Sequence, residues 1–285
     1  PEKVGPFAIF DARATVTQTI VDLGAWRRYQ ASKVAVTAAQ TERTSTQDRT
    51  AAQVARSYLT ALRQQARLET ATANVELSEA LLELAQNQQD AGTGTGIEVT
   101  RARVQLSNQE HLQLAARQQH TQALLTLLRQ IGAGLNDHLL LTETLEYLPV
   151  QVTEVSQATA LALQSRSDLQ AQLQKEEEAD LGYRAAGLER MPSLSGFADY
   201  GALGNHLNDS FATWSLGVSL RLTLFDGGRH QANQAQTQSQ LRQQQIQTRD
   251  LRQQIELEVR LALDGLQVTR QQIQSAAKGL QLAEQ

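Results

Sequence analysis

Two runs of this chain alternate apolar and polar residues with a period of two. In one, Trp214, Leu216, Val218, Leu220, Leu222 and Leu224 share a side, against Ser215, Gly217, Ser219, Arg221 and Thr223. In the other, Phe10, Ala12, Ala14, Val16, Gln18 and Ile20 oppose Arg13, Thr15, Thr17 and Thr19. Alternation of this length predicts β-strands with one greasy and one wet face. Each run feeds a helical pattern. From about Ala25 to Asp90 there is neither proline nor glycine, and an apolar stripe recurs every seven residues at Val54, Ala61, Leu68, Val75 and Leu82. At ~1.5 Å per residue such a helix would be roughly 100 Å long. Val259, Leu266, Ile273 and Leu280 repeat the stripe about 205 residues on, and Ile20-Val21-Asp22-Leu23-Gly24 returns about 204 residues on as Leu224-Phe225-Asp226-Gly227-Gly228. The chain therefore reads as two copies of one unit, and its sustained heptads predict a left-handed coiled coil.

Punctuation divides the chain further. Ala91-Gly92-Thr93-Gly94-Thr95-Gly96 breaks the first helix, so residues 25–131 form a long antiparallel helical hairpin with its tip at 91–97. A first strand and its junction occupy 1–24, and an irregular segment 132–154. One helix covers 155–191 and ends at Met191-Pro192. A strand–loop–strand spans 192–225, and the second long helix 226–285. Carrying the first tip forward by the repeat puts a second near residue 297, past Gln285. Beginning at Pro1 with no apolar leader, the sequence reads as a fragment or processed product.

Composition narrows the function. Four prolines, 4% aromatics and long Ala-, Leu- and Gln-rich stretches fit long helices rather than a thick globular core. The net charge of −4 comes with no basic run, so nucleic acid is not an expected partner. No cysteine is present, which excludes disulfides and thiolate metal sites. Nothing approaches the roughly 20 apolar residues of a spanning helix, but a membrane β-strand needs only about 10 alternating ones. The greasy strand faces begin with aromatics, Phe10 and Trp214, as interface girdles do, and lipid plus neighbouring protomers would cover them.

Candidate chemistry is thin. The Gly92–Gly96 run follows a helix and lacks the Lys-Ser/Thr of a phosphate loop, so it reads as a hairpin turn. His111, His120, His138, His206 and His230 never fall at i,i+3 or i,i+4, which leaves no helical metal pair and predicts exposed polar histidines. Glu176-Glu177-Glu178 reads as a solvated helix face, and no nucleophile motif occurs. No catalytic residue, metal or cofactor is expected, and the chain is not read as an enzyme.

Over nearly its whole length the sequence resembles the TolC-like outer-membrane efflux proteins. Leu224-Phe225-Asp226-Gly227-Gly228 is similar to the family's "LFDGG" junction, and Ser165-Arg166-Ser167-Asp168-Leu169 to its "RPDL" helix start. Met191-Pro192-Ser193-Leu194 followed by Tyr200-Gly201 is similar to its "P-x-L…YG" strand, and Gly92 with Glu98, Val99 and Ala102 to its hairpin tip. The resemblance implies a mainly α fold with a β-barrel portion. Long antiparallel coiled-coil helices would form a periplasmic tunnel, and amphipathic strands would contribute to a trimeric outer-membrane barrel. It implies a homotrimer in the outer membrane of a Gram-negative bacterium, serving as the exit duct of a tripartite efflux or type I secretion system. Drugs, toxins or proteins would pass through it passively, with a periplasmic adaptor and an inner-membrane pump as partners. On this resemblance Ala91, Gly92, Thr93, Gly96 and Glu98 form the adaptor-docking tip, although the family's Val-Gly-Leu contact is Ala91-Gly92-Thr93 here. Asp22, Gly24, Asp226, Gly227 and Gly228 make the strand–helix junctions. Arg13, Thr15, Thr17, Ser215, Ser219 and Arg221 face the lumen, and a tunnel-closing acidic position of the family is Ser107. The rival reading is a soluble periplasmic coiled-coil adaptor or scaffold, which should carry a β domain beside its hairpin in place of amphipathic strands.

Overall fold

A computed structural model describes residues 9–145, 147–149 and 154–283. The ends of segments 1–24 and 226–285 and part of 132–154 therefore lie outside the described residues. The element order is β1 (Phe10–Val21), α1 (Leu23–Asp90), α2 (Gly96–Ile131), α3 (Val155–Ser165), α4 (Ser167–Gly187), β2 (Ser193–Gly204), a 3-10 turn (Leu207–Asp209), β3 (Ser210–Arg221) and α5 (Arg229–Ala283). Two compact units result, one from residues 1–45 with 152–285 and one from 46–151. The chain of α1 contributes to both.

In the first unit β1, β2 and β3 form one antiparallel sheet in that order. The ladder of β2 with β3 runs unbroken from Ser193 opposite Arg221 to Gly204 opposite Ser210. Sequence alternation continues to Leu224, yet β3 stops at Arg221. Its partner there is Ser193, and the preceding Pro192 has no N–H to extend the ladder. In β1 the register shifts between Thr19 and Val21, so the strict alternation ends at Thr19.

The helix expected over 155–191 is two helices. Arg166 breaks it with an extended backbone (φ −70°, ψ 120°), and α4 ends at Gly187. At the break the Arg166 guanidinium turns back onto Asp168, Nε to Oδ1 at 3.1 Å and Nη2 to Oδ2 at 2.7 Å, and reaches Glu258 Oε2 on α5 at 2.5 Å. The core of this unit lies where α4 meets α5, around Leu169, Ala171, Ala185, Ala186 and Ile255, all under 5% exposed. On α5 the covered positions follow a 4-3 spacing through Thr237, Leu241, Gln244, Thr248, Leu251 and Ile255. The stripe predicted further along is covered only in part: Val259 and Ile273 are half-buried, whereas Leu266 and Leu280 are exposed.

In the second unit α1 and α2 run antiparallel, tied by Ser57 Oγ donating to Gln130 and by Gln113 Nε2 donating to Thr72 Oγ1 at 3.2 Å. The predicted stripe Val54, Ala61, Leu68, Val75 and Leu82 is covered throughout. It is half of the seam. The other half, Ser57, Gln64, Ala71, Ser78 and Ala85, is small or polar. On α2 the seam runs Val99, Ala102, Leu106, Gln109, Gln113, Ala116, His120, Ala123 and Leu127, again at 3-4 spacing. The seam mixes small side chains with glutamines, which cover amide groups that a leucine zipper would not hold. Gln64 Oε1 is buried with no hydrogen-bond partner among the described residues.

Candidate functional site

Three places carry the residues singled out by the sequence: the wet face of the sheet, the two strand–helix junctions and the hairpin tip.

On the sheet, side chains two apart share a face. The register sets Thr15 opposite Asp199 and Asp199 opposite Ser215, with Thr17, Phe197 and Gly217 in the next row. Arg13 Nη1 meets Asp199 Oδ1 at 2.9 Å and Arg13 Nε meets Asp11 Oδ1 at 3.3 Å, while Ser215 Oγ donates to Asp199 Oδ2. The Asp199 side chain is only 9% exposed, so this carboxylate is held by partners from both neighbouring strands. Arg13, Thr15, Thr17, Ser215, Ser219 and Arg221 thus stand on one face. Arg221 makes no ion pair among the described residues. Sequence reading missed Asp199 and Asp11. A signal for Asp199 lay in the alternation Ser193, Ser195, Phe197, Asp199, which names a wet face on β2 as well. The opposite face is apolar and open, with Trp214 at 75% and Leu216 at 76% exposure.

The junctions use one device twice. Asp22 Oδ1 accepts the Ala25 N–H at 2.8 Å, capping α1, and Asp22 Oδ2 pairs with Arg28 at 3.5 Å. Gly24 beside it is close to the α4 end: a Cβ there would lie 3.5 Å from the Ala185 carbonyl oxygen. At the second junction Asp226 accepts N–H groups from His230 at 2.9 Å and Gly228 at 3.2 Å. These bonds, the His230 one foremost, hold its carboxyl below the ordinary range. Gly227 and Gly228 take φ of +66° and +90°, a left-handed pair that a side chain would strain. His120, half-buried on the α2 seam, and His230 correct the expectation of exposed histidines. For His230 the cause is its place at the second junction, where it falls on the covered stripe of α5. Its side chain is 9% exposed with Nδ1 3.9 Å from Glu189 Oε2.

At the tip, α1 ends at Asp90, and Gly92 just beyond it takes a φ of +77° that lets Thr93 and Gly94 N–H groups both reach the Gln88 carbonyl at 2.9 Å. Gly94 passes so close to the helix end that a Cβ would meet Gln88 Cβ at 3.0 Å. Glu98 opens α2: its Oε2 accepts the Thr95 N–H at 2.8 Å, and that bond draws its carboxyl below the ordinary range. Ala91, Gly92, Thr93, Gly96 and Glu98 are exposed. Among the described residues no group of three or more His, Cys, Asp or Glu could hold a metal ion, and no helix is long and apolar enough to cross a membrane.

The family of outer membrane efflux proteins matches residues 8–133 and 158–285. The chain belongs to that family. This efflux protein also shares its fold with solved structures. The outer membrane protein VceC from Vibrio cholerae is 18% identical with a TM-score of 0.78, over 98% of this chain and 74% of that one. The outer membrane channel CmeC of Campylobacter jejuni is 16% identical with a TM-score of 0.74, over 94% and 60%. The open-state outer membrane channel MtrE of Neisseria gonorrhoeae is 16% identical with a TM-score of 0.72, over 95% and 66%. No curated protein matches the sequence significantly. The mainly helical fold with its strand portion is that of the family, and the protein acts in efflux at the outer membrane.

Proposed function

We propose that this efflux protein is the passive exit duct of a tripartite system, a homotrimer whose strands close a barrel in the outer membrane. One observation carries the reading. Among the described residues the three-stranded sheet leaves both edge strands without a further partner, and its apolar face, with Trp214, Leu216, Val218 and Leu220, is 66–76% exposed. In water such a sheet would aggregate; closed against further copies and faced with lipid, its backbone groups and apolar side chains are both satisfied. The wet face with Arg13, Thr15, Thr17, Ser215, Ser219 and Arg221 then lines a hydrated lumen. Ion-paired Arg13 and Asp199 add little net charge to it, so the wall binds solutes weakly.

The exposed hairpin tip, Ala91 to Gly96 with Glu98, is the surface for a periplasmic adaptor that couples the duct to an inner-membrane pump. Support for this is the tip's tight, glycine-dependent shape, which presents backbone with few bulky side chains. The test is to express the full-length protein and fractionate membranes. Extraction from the outer membrane only with detergent, as a trimer that conducts in planar bilayers, is the expected outcome. A water-soluble monomer would instead favour an adaptor or scaffold and sink the duct. For the tip, crosslinking from Thr93→Cys to the adaptor in intact cells is expected, and its absence beside a functional pump would remove the docking role.

A further inference from the structure

The wet face is mostly hydroxyls and one ion-paired cluster, with Leu203 and Phe211 beside Asp11 at one end, yet its central row also carries a phenylalanine. Phe197 stands between Thr17 on β1 and Gly217 on β3, and parity with Asp199 puts its side chain on the wet face. The ring is half-buried on a face where most side chains are open to solvent. Gly217 explains why. A Cβ at 217 would lie 2.7 Å from Phe197 Cζ and 2.9 Å from Cε1, distances no real side chain tolerates. The ring therefore lies down across β3, in the space a side chain at 217 would fill.

Nothing else at that position calls for glycine. Gly217 is not among the glycines with positive φ, and the β2–β3 register runs through it unbroken, so neither a turn nor a bulge is involved. Glycine in a strand interior weakens the strand and marks a site where something approaches the backbone closely. Here the approaching group is the Phe197 ring. Any residue with a Cβ at 217 would force the ring to stand up from the sheet.

We infer that the Phe197–Gly217 pair sets the free bore of the barrel at this level. Glycine gives the ring a seat, so a bulky aromatic occupies the wet face without obstructing it, and large apolar solutes pass over a flat apolar surface. This rests on the wet face lining a conduit, as proposed above. The full-length protein, its Gly217→Val variant, and the Phe197→Ala/Gly217→Val double variant are compared by single-channel conductance in planar bilayers. Loss of conductance in Gly217→Val, regained in the double variant, is expected. Equal conductance in wild type and Gly217→Val overturns the inference while leaving the conduit intact. A wild-type protein that inserts without conducting overturns the conduit reading itself.

A second arm keeps Gly217 and so does not depend on valine being tolerated. The sequence has no cysteine, so Phe197→Cys supplies one thiol. A bulky charged thiol reagent added from the aqueous side should react there and reduce conductance stepwise. Failure to react in a conducting channel would show that position 197 does not face the lumen.

Discussion

Replacing Arg166 by glutamine tests whether the break between α3 and α4 is held by charge. The guanidinium makes three bonds, two to Asp168 and one to Glu258. These side chains are far from buried, at 32% for Arg166, 26% for Asp168 and 45% for Glu258, so solvent screens them. Exposed pairs contribute about 0.2–1 kcal/mol each. The Asp168 contact is only two residues away and survives in part in the unfolded chain, whereas the Glu258 contact spans 92 residues and exists only in the fold. Arg166→Gln should therefore cost about 1–2 kcal/mol, partly because it leaves two carboxylates facing each other. A double-mutant cycle with Glu258→Gln should return a coupling of about 0.5–1 kcal/mol. Thermal unfolding followed by the helical circular dichroism signal in detergent reads both, at about 2–4 °C per kcal/mol for a chain of this size class. The Arg166 hydrogen bond holds the Glu258 carboxyl below its ordinary value of 4.5. A depressed carboxylate stabilises the fold above its unfolded value, and that contribution fades as pH falls through the folded one. The gap between wild type and Arg166→Gln should accordingly narrow in acid, and also at 1 M salt, where the screening length is about 3 Å. Identical unfolding midpoints at pH 7 and low salt, or a coupling indifferent to salt, would refute the reasoning.

Four further outcomes follow from the same geometry. Gln64→Leu should stabilise the α1–α2 hairpin by about 1 kcal/mol, because it removes a buried amide oxygen with no partner among the described residues; slower amide exchange along the seam checks it. Leu169→Ala, at a side chain 2% exposed between α4 and α5, should cost about 3 kcal/mol in the same unfolding assay. Gly92→Ala should cost about 1 kcal/mol for placing a side chain at φ +77°, with Gly92→Asn milder, and a hairpin equally stable with alanine would contradict the turn geometry. At the start of α2, the depressed Glu98 carboxyl means its cap is present above the ordinary glutamate range and lost below the folded value. The protection of amides 95–99, taken relative to intrinsic exchange at each pH, should therefore fall in acid in wild type and be low at all pH values in Glu98→Ala.

Much of this protein is written in local periods. Alternation fixed which residues of β1 and β3 share a face, because a strand has a period of two whatever it pairs with, and the heptad at Val54 to Leu82 marked one side of the hairpin seam. The aspartates at 22 and 226 were legible as junction residues because they hold the same place in both repeats, and the structure adds that each caps the helix that follows it. Two contacts stayed hidden because their partners lie far along the chain: Arg166 meets a carboxylate 92 residues away, and the Arg13 partner Asp199 lies 186 residues away on a strand whose register no local pattern states. His230 looked like one more polar histidine until α5 was placed against α4, which buried it. The polar half of the hairpin seam, Ser57, Gln64 and Ser78, was equally invisible, since an apolar-stripe search cannot register positions that are covered because they are small. Strand faces, the long helical stretches and their turn residues were thus legible in the sequence itself, each being set within about one turn or one pleat. Which faces meet, which charges pair and why Gly217 must remain bare were decided by the tertiary structure, because those depend on backbone-to-backbone distances that no residue's neighbours in sequence control.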